Sequence, residues 1–307
     1  MVKQAVTGLG LLCAWLILQP VAAIGQSAPP TPTNFRFVTG LTPPPPSPPP
    51  PPPDVSASDI SVLSWNIRVD DYSEAHARDA MARSVAISPR PQVILIQEAY
   101  NTRYGIYLDE LQRRTGTTWY GGCAMSCPSG GWNGSSCTLN MDGGIGIFSS
   151  FPIVDTGTIQ FPYGDCWTSA KPALRAAINV NGRTVQVFNT HLQTGSCNNV
   201  AQQRYSSMSM LKNWAANYSG PQLLGGDFNA DADQIMSTQG MSPNFVDSWA
   251  IVGSGSGFTF PVPSPTMKLD YLMSGSGGTA QPLSSSVVTA TGSASDHYPV
   301  RTTFRIQ

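Results

Sequence analysis

The sequence predicts an α/β (α+β) domain in which mixed or antiparallel β-sheets are covered by helices on their outer faces. Short runs rich in Val, Ile, Leu and Phe recur between turns, which is typical of buried strands. Two longer stretches are predicted to be helices. Most segments that connect the strands are too short for repeated βαβ crossovers, so an all-parallel sheet is not expected.

Eight strands and two helices can be assigned from these patterns. In chain order, strands are predicted at residues 61–67, 92–98, 143–149, 173–180, 184–192, 222–227, 269–274 and 300–306. Asn181-Gly182 is typical of a hairpin turn and joins the fourth strand to the fifth. Helices are predicted at 74–87 and 200–218. The second helix has an apolar stripe that we interpret as core packing (Tyr205, Met208, Leu211, Ala215).

The folded domain is expected to occupy residues 58–307, because the preceding segment lacks the composition of a packed core. A Lys near the start, an apolar run from Leu9 to Leu18 and small residues after it predict a signal peptide over residues 1–27. That run is shorter than the roughly 20 residues that span a bilayer, so no transmembrane segment is expected. Residues 28–57 are Pro-rich and predict a disordered, extended linker. The protein is therefore expected to be secreted, extracellular or periplasmic, and monomeric.

The low charge of the chain disfavours one class of function, tight binding of nucleic acid without sequence preference. Only 11% of the residues are charged, the formal net charge is −1, and no block of Lys or Arg is present. A protein that packages DNA or binds it tightly without sequence preference needs a strong positive patch. The composition therefore disfavours that class, whereas a hydrolase that must release its product remains compatible with it.

Five cysteines remain after the predicted signal cleavage, and export favours disulfide formation. Three of them, Cys123, Cys127 and Cys137, lie within a Gly/Ser-rich insertion that has little propensity to fold alone. We expect at least one disulfide among these three. A zinc site is the alternative, but the spacings match no typical zinc pattern.

Polar residues end the predicted strands repeatedly, although buried strands should stay apolar. Side chains that can bind metals, transfer protons or hold phosphate occur at six of these ends: Asn66, Glu98, His191, Asp227 with Asn229, Asp270, and Asp296 with His297. The chain has three histidines, and two of them are in this set. The third, His76, lies in a polar helical stretch and is expected to be solvated. Such groups at the ends of six segments indicate a functional site.

The acidic segment GGDFNADAD could also be a calcium loop, because oxygen ligands alternate from Asp227 onwards. An EF-hand loop needs Gly at its sixth position and Glu at its twelfth. These positions are Ala232 and Thr238. We therefore expect Asp227 and Asn229 to belong to the functional site, and Asp231 and Asp233 to form a solvated turn.

Six ordered motifs resemble those of the endonuclease/exonuclease/phosphatase superfamily: LSWNI, IQEAY, NTHLQ, GGDFNADAD, LDYLMS and SDHYPV. The resemblance runs from about Ser61 to Arg305. This superfamily includes deoxyribonuclease I, AP endonucleases, neutral sphingomyelinases, inositol polyphosphate phosphatases and the catalytic subunit of cytolethal distending toxin. The resemblance implies a four-layer sandwich, with two mixed β-sheets packed face to face and helices on the outer faces. It also implies hydrolysis of a phosphate ester with the help of a divalent cation.

The resemblance further assigns roles to individual residues. Glu98 is the leading metal ligand, with Asn66 and Asp296 beside it, and Mg²⁺ is the expected ion, with Ca²⁺ or Mn²⁺ as alternatives. Asn189 shares a strand face with the second histidine and is expected to contribute to substrate binding. Arg175 could reach phosphate, or it could have a structural role in its hairpin.

The remaining roles are catalytic. His297 resembles the general base, or the group that places the attacking water, and Asp270 resembles the acceptor that orients its ring. Asp227 resembles the residue that holds the water, and Asn229 the amide that donates to the phosphoryl oxygen. His191 resembles the second histidine, which contacts phosphate or protonates the leaving oxygen. The acid that pairs with this histidine in deoxyribonucleases has no match in the sequence.

Three functions fit this resemblance, and a secreted, metal-dependent phosphodiesterase acting on nucleic acid is favoured. The first alternative is a sphingomyelinase or phosphoinositide phosphatase, because aromatic residues near the insertion, such as Trp119 and Tyr120, could contact a membrane or stack on bases. The second alternative is a non-catalytic binding protein or a toxin-like subunit bound to a partner. The complete set of motif residues argues against a loss of catalysis.

Overall fold

The computed structural model describes residues 58–68, 73–99, 105–125, 142–161, 171–195 and 199–307. The predicted signal peptide and Pro-rich linker lie outside these ranges. The disulfide prediction also lies outside them, because Cys127 and Cys137 are not described and Cys123 is described only as part of a strand backbone. Among the helices that the structure describes, none is both long enough and apolar enough to cross a membrane.

Five α-helices and twelve strands follow one another in an irregular order along the described chain. The elements are β1 (Ser58–Asn66), α1 (Glu74–Ala86), β2 (Val93–Gln97), α2 (Gly105–Thr115), β3 (Tyr120–Met125), β4 (Asp142–Ser149), β5 (Ile153–Gln160), β6 (Pro172–Val180), β7 (Arg183–His191), α3 (Val200–Ala215), β8 (Gln222–Asp227), α4 (Ala232–Ile235), β9 (Phe245–Asp247), α5 (Ser248–Val252), β10 (Asp270–Gly275), β11 (Ala280–Val287) and β12 (Val300–Ile306).

These strands form two six-stranded sheets. Sheet A has the order β11-β12-β1-β2-β4-β3, and sheet B has the order β5-β6-β7-β8-β10-β9. Each sheet contains one parallel pair, β1 with β2 and β7 with β8, and the other neighbours are antiparallel. The predicted mixed sheets are therefore confirmed.

Three apolar clusters hold the layers together. The central cluster joins the two sheets, with Val62 and Leu95 from sheet A and Val187 and Leu272 from sheet B among its members. The outer face of sheet A packs under α1 and α2. The outer face of sheet B packs under α3 through the predicted stripe, of which Met208, Leu211 and Ala215 are buried and Tyr205 half-buried. Full burial of such a side chain contributes roughly 1.5–3 kcal/mol. The predicted four-layer sandwich is confirmed.

The strand order explains why polar strand ends meet at one edge. β7 and β8 are parallel, so their carboxyl ends lie together, and His191 pairs in register with Asp227. β10 runs antiparallel to β8, so its first residue, Asp270, pairs with Asp227 as well. β1 and β2 are likewise parallel and end side by side at Asn66 and Gln97. Both sheets therefore deliver their polar ends to the same region.

Gly226 permits the close approach of β7 and β8 at this edge. Its φ is 150°, and a Cβ there would lie 2.1 Å from the carbonyl oxygen of Thr190. No side chain fits at that distance. Gly226, which directly precedes Asp227, is thus required by the packing of the two strands that carry Asp227 and His191.

Candidate active site

Asp227 lies at the centre of the polar cluster. Its Oδ2 accepts a hydrogen bond from Asn66 Nδ2 at 3.0 Å, and its Oδ1 accepts one from the Asn229 backbone N–H at 2.8 Å. The side chain is only 1% exposed. Burial raises the pKa of Asp227, the nearby Asp270 carboxylate raises it further, and it reaches about 7 although His297, Asn66 and Asn229 oppose the shift. A carboxylate with this pKa can accept a proton near neutral pH.

His297 is held on three sides. Its Nδ1 lies 2.8 Å from Asp270 Oδ2, its carbonyl oxygen accepts from Trp65 Nε1 at 2.9 Å, and the ring of Phe260 packs against the imidazole with centroids 4.8 Å apart. Burial lowers the pKa of His297, but the carboxylates of Asp270 and Asp227 outweigh burial and raise it to about 10. At this pKa the ring carries a proton at neutral pH, which argues against the predicted role of His297 as general base and leaves the alternative role of placing the attacking water. Its Nε2 lies 3.8 Å from Asp227 Oδ2.

His191 lies on the other side of Asp227. Its Nε2 is 3.7 Å from Asp227 Oδ2 and 3.8 Å from Glu98 Oε1. Lys171, which the sequence analysis did not identify, places its Nζ 3.2 Å from His191 Nδ1 and 3.5 Å from Nε2. Burial lowers the pKa of His191 far below its usual value, and the Lys171 and His297 charges lower it further. His191 is therefore neutral.

Lys171 is a buried cation in this site. Burial lowers its pKa to about 8, while the charges of Glu98 and Asp227 act in the opposite direction. A lysine thus lies beside His191, where deoxyribonucleases are expected to have an acid. The one signal in the sequence is that Lys171 directly precedes a predicted strand in a chain with four lysines. Its contact with His191 arises only in the folded protein.

The predicted metal ligands lie around the mouth of the site. Glu98 follows β2 with a left-handed φ of 54° and is 26% exposed. Asn66 uses its amide nitrogen for Asp227, and its Oδ1 accepts from the Arg68 backbone N–H at 3.1 Å. Asp296 forms an ion pair with Arg68 at 2.9 Å and is 27% exposed. Oxygen donors of this kind suit a hard divalent cation.

A second donor set has a more compact geometry. Ligand atoms of Asp227, Asp270 and His297 lie within 4.8 Å of one another. His297 Nδ1 faces Asp270 Oδ2 at 2.8 Å, so only its Nε2 could serve as a ligand atom. The predicted ligands Glu98, Asn66 and Asp296 lie outside this group.

Two residues considered for substrate binding are placed elsewhere: the substrate-binding role predicted for Asn189 is wrong, and Arg175 takes the structural one of its two predicted roles. Asn189 is fully buried between the sheets, where its Nδ2 donates to the carbonyl oxygens of Ile96 and Gly146 and its Oδ1 accepts from Gln97 Nε2. Arg175 projects to the outer face of sheet B, because its neighbours Leu174 and Ala176 face the central core.

The contacts of Arg175 account for its burial. Its guanidinium bonds to Gln186 at 2.7 Å, pairs with Asp155 and stacks on the ring of Tyr218. The structural alternative for Arg175 is therefore the correct one. Of the two aromatic residues considered for contact with a membrane or with bases, Trp119 is buried against the outer face of sheet A and donates to Thr115, whereas Tyr120 is 38% exposed.

The GGDFNADAD segment divides between the candidate site and a local turn, but the Asn229 amide, predicted to donate to a phosphoryl oxygen, donates to a backbone carbonyl instead. Asn229 lies beside Asp227 with a left-handed φ of 50°, and its Nδ2 donates to the Leu192 carbonyl oxygen at 3.1 Å. Asp231 caps helix α4 by accepting from the Gln234 N–H at 2.9 Å, and Asp233 is exposed. The first half therefore belongs to the site and the second half to a local turn.

A cavity of about 450 Å³ opens beside Asp296. It is lined by Arg68, His76, Val262, Ser293, Ala294, Ser295 and Asp296. The expectation that His76 is merely solvated is wrong, since its Nε2 lies 2.7 Å from the Ile67 carbonyl oxygen at the end of β1. His76 therefore lines this cavity together with Asp296, which directly precedes His297 in the chain.

Comparisons with known proteins agree with this architecture. The model of the Endonuclease/Exonuclease/phosphatase family matches residues 63–297. Zebrafish (D. rerio) TDP2 with a single-strand DNA product is similar at 18% identity and a TM-score of 0.60, over 80% of this chain and 99% of that one. A mannosyl-6-phosphatase of Bacteroides thetaiotaomicron is similar at 16% identity and a TM-score of 0.58, over 80% and 99%.

A further solved structure is similar over the same part of the chain. It is a family protein from Leptotrichia buccalis, with 19% identity and a TM-score of 0.59 over 80% of this chain and 99% of that one. At such low identity these structures show a shared fold. No curated protein matches the sequence.

Proposed function

The chain belongs to the Endonuclease/Exonuclease/phosphatase family, and from this membership we propose that it is a secreted phosphodiesterase that needs a divalent metal ion and acts on nucleic acid. Members of this family hydrolyse phosphate esters. The arrangement of Asp227 between Asn66, His191 and His297 is the observation that carries the proposal. The Asp227 carboxylate can accept a proton from water, and the donors around it can stabilise the negative charge that develops on a phosphate bound there.

Asp227 is the group that activates water in this proposal. Asn66 and the Asn229 backbone orient its carboxylate, and its pKa of about 7 leaves it partly ionised near neutral pH. It takes a proton from the attacking water while the new P–O bond forms. The His297 imidazolium then serves as a cationic donor to the phosphoryl oxygens, and Asp270 keeps its ring in place.

Glu98, Asn66 and Asp296 are the residues that would hold the metal. Glu98 Oε1 lies 3.8 Å from His191 Nε2, and Asn66 Nδ2 donates to Asp227 Oδ2, so both residues border the proposed phosphate site. A bound divalent cation supplies charge neutralisation on the phosphoryl group. Mg²⁺ is proposed because it tolerates few protein ligands and keeps part of its water shell. Ca²⁺ and Mn²⁺ are the alternatives.

His191 and Lys171 are proposed to act on the leaving oxygen. The neutral imidazole presents an N–H, and the ammonium next to it stabilises the negative charge that develops as the P–O bond breaks. Water is mostly excluded from this side, because both residues are buried. Electrostatic stabilisation is stronger in such a site than at an exposed surface.

Nucleic acid is favoured over a phosphate monoester for a structural reason. The cavity of about 450 Å³ beside Asp296 gives room for a second substituent on the phosphate. One similar structure, TDP2, holds a single-strand DNA product, whereas another is a mannosyl-6-phosphatase that has a monoester substrate by its name. Phospholipid substrates are tested in the same panel as nucleic acids and phosphate monoesters.

A substrate panel tests the proposal. Purified protein is assayed with duplex and single-stranded DNA, RNA, sphingomyelin, phosphoinositides, mannose 6-phosphate and bis(p-nitrophenyl) phosphate, each with and without chelator. Chelator-sensitive cleavage of a nucleic acid, abolished in a folded Asp227→Asn variant, supports it. Cleavage of only a monoester or a phospholipid would show that nucleic acid is not the substrate class. Full activity after exhaustive chelation would contradict the metal requirement.

Secretion is tested separately. We expect the mature protein in the culture supernatant or periplasm, with an N-terminus close to residue 28. Mass spectrometry of unreduced exported protein should show a disulfide among Cys123, Cys127 and Cys137. An uncleaved N-terminus in the cell extract, or three freely alkylated cysteines, would contradict these expectations.

A further inference from the structure

The turn after α3 carries an acceptor motif for N-linked sugar. Asn217, Tyr218 and Ser219 form a triplet of the type Asn-X-Ser in which X is not Pro. Such triplets are modified on surface loops of proteins that pass through a secretory pathway. A second triplet of this type, Asn133-Gly134-Ser135, lies outside the described residues. The accessibility of Asn217 therefore decides whether the first motif can be used.

The fold places Asn217 on the surface. Helix α3 ends at Ala215, and the Asn217 N–H donates to the Trp214 carbonyl oxygen at 3.1 Å to form the turn that follows. Asn217 and Ser219 are exposed, whereas Tyr218 between them is half-buried. The two residues that the motif requires are therefore both accessible.

Tyr218 fixes this arrangement from the inside. The Arg175 guanidinium stacks on its ring at 3.8 Å from the centroid, and the rings of Trp214 and Phe188 lie beside it, with centroids 5.9 and 6.1 Å away. These contacts hold Tyr218 against the outer face of sheet B. Because the middle residue of the triplet is anchored inwards, its two neighbours face solvent.

The Asn217 amide can carry a sugar without disturbing the packing. Its Nδ2 donates to the carbonyl oxygens of Asn213 and Trp214, both at 3.2 Å. The amide nitrogen has two hydrogens, and a sugar replaces one of them, so the other still donates to the helix end. Both hydrogen bonds are exposed, so water can satisfy the carbonyl oxygen that is released.

We propose that Asn217 is an N-glycosylation site of the exported protein. The inference rests on the secretion proposed above and goes beyond the proposed activity. The sugar donor is an oligosaccharide linked to a lipid through pyrophosphate. A bond forms between Asn217 Nδ2 and the anomeric carbon of the first sugar, and the bond from that carbon to the pyrophosphate oxygen breaks. The oxygen leaves with the electron pair, and the amide nitrogen releases one proton.

A sugar on this turn would lie away from the active site. The Tyr218 carbonyl oxygen accepts from Gln222 Nε2 at 2.6 Å, so the turn lies beside the first residue of β8. Asp227 is at the other end of that strand, and five residues of extended chain span about 17 Å. The glycan therefore leaves the region around Asp227 open to substrate.

Mass spectrometry of the exported protein tests the site. The protein is expressed with its own N-terminal segment in a eukaryotic cell line, and the secreted product is treated with peptide N-glycosidase in heavy-oxygen water. We expect Asn217 to be recovered as labelled Asp, with a loss of electrophoretic mass on treatment. Asn217→Gln and Ser219→Ala should each remove this label, whereas Ser219→Thr should retain it.

Asn213→Gln is the matched control. Asn213 is an exposed asparagine one turn earlier on α3, and Trp214 and Ala215 follow it, so it belongs to no acceptor triplet. Its substitution should leave the label on Asn217 unchanged. Asn133→Gln separates any modification of the second triplet. Activity on bis(p-nitrophenyl) phosphate should be the same in folded Asn217→Gln as in the wild-type protein.

The outcomes separate glycosylation from secretion. Exported protein with an unmodified Asn217, from cells that glycosylate a reference protein, would overturn the inference and leave secretion standing. A label that persists in Ser219→Ala would also overturn it, since the triplet would then not direct the modification. Unmodified protein in the cytosol with an uncleaved N-terminus would overturn secretion and glycosylation together. The phosphodiesterase assignment is tested by the substrate panel and does not depend on these results.

Discussion

Replacing Asp270 with Asn tests whether this carboxylate acts only through His297. Asp270 is fully buried, and its Oδ2 lies 2.8 Å from His297 Nδ1. Asn keeps the shape and removes the charge. A charge-assisted hydrogen bond contributes about 1.5–3 kcal/mol, which corresponds to roughly 10- to 150-fold in rate. Loss of ring orientation adds to this, so we expect turnover to fall by about 10² to 10⁴.

The pH profile gives a second signature of the same change. In the wild-type protein, activity should rise as Asp227 loses its proton near pH 7 and should fall as His297 loses its proton near pH 10. The Asp270 carboxylate is the strongest of the groups that raise the pKa of His297. Without its charge that pKa moves down toward the ordinary value of about 6.5, so the alkaline limb should move to lower pH.

The assay is kcat measured from pH 5 to 11 on whichever substrate the panel identifies, with folding checked by circular dichroism. Asp233→Asn serves as the control, because Asp233 is an exposed acid on the turn after Asp227 and should have almost no effect. The double variant Asp270→Asn/His297→Ala should lose much less than the product of the single losses. A folded Asp270→Asn enzyme within threefold of wild type, or losses that multiply, would refute the reasoning.

Three further predictions follow from the site and its support. Glu98→Gln should weaken binding of Mg²⁺ in calorimetry without unfolding the domain, and unchanged affinity would exclude Glu98 as a ligand. Lys171→Met should lower turnover by at least about tenfold and yet tighten metal binding, because a cation near Glu98 and Asp227 is removed; equal weakening of both would point to misfolding instead. Glu110→Gln should lower the free energy of unfolding by about 1–2 kcal/mol in urea titrations. The reason is that three partly exposed arginines would lose their ion pairs with the buried Glu110 carboxylate (Arg78, Arg113, Arg114). Hydrogen bonding to Arg113 and the other arginine charges lower the pKa of Glu110 to about 2, so this stability should be present above about pH 4.5 and lost as the pH falls toward 2.

The buried strands could be predicted because their signal is local. β2, β8 and β10 are short apolar runs bounded by turns, and each prediction agrees with the structure within a residue or two. The edge strands lack that signal. β5 is mostly exposed or half-exposed along its length, and β11 contains Pro282 and three serines. Hydrogen bonds to one neighbour define such strands, and those bonds depend on the tertiary fold.

The site residues show the same division. The strand ends could be predicted because the polar residue that follows an apolar run is visible in the sequence. Lys171 and Arg68 could not be predicted, because each meets its partner only when distant segments pack together. The two roles of Arg175 could not be separated, because a charged residue in a strand does not reveal which face of the sheet it occupies and its partners Tyr218 and Asp155 lie far away in the chain.

Asn189 gives the apolar centre of the molecule a directional constraint. Contacts among Val, Leu and Ile side chains tolerate small sliding of one sheet over the other. The Asn189 amide does not, because it donates to the carbonyl oxygens of Ile96 and Gly146 and accepts from Gln97 Nε2. Asn66 and Glu98 come from sheet A, and His191 and Asp227 come from sheet B. The alignment of these two halves of the site therefore depends on Asn189, which lies two residues before His191 in β7 and is buried away from substrate. A substitution of Asn189 could therefore leave the fold intact and still lower activity, because the two sheets would no longer hold their site residues in alignment.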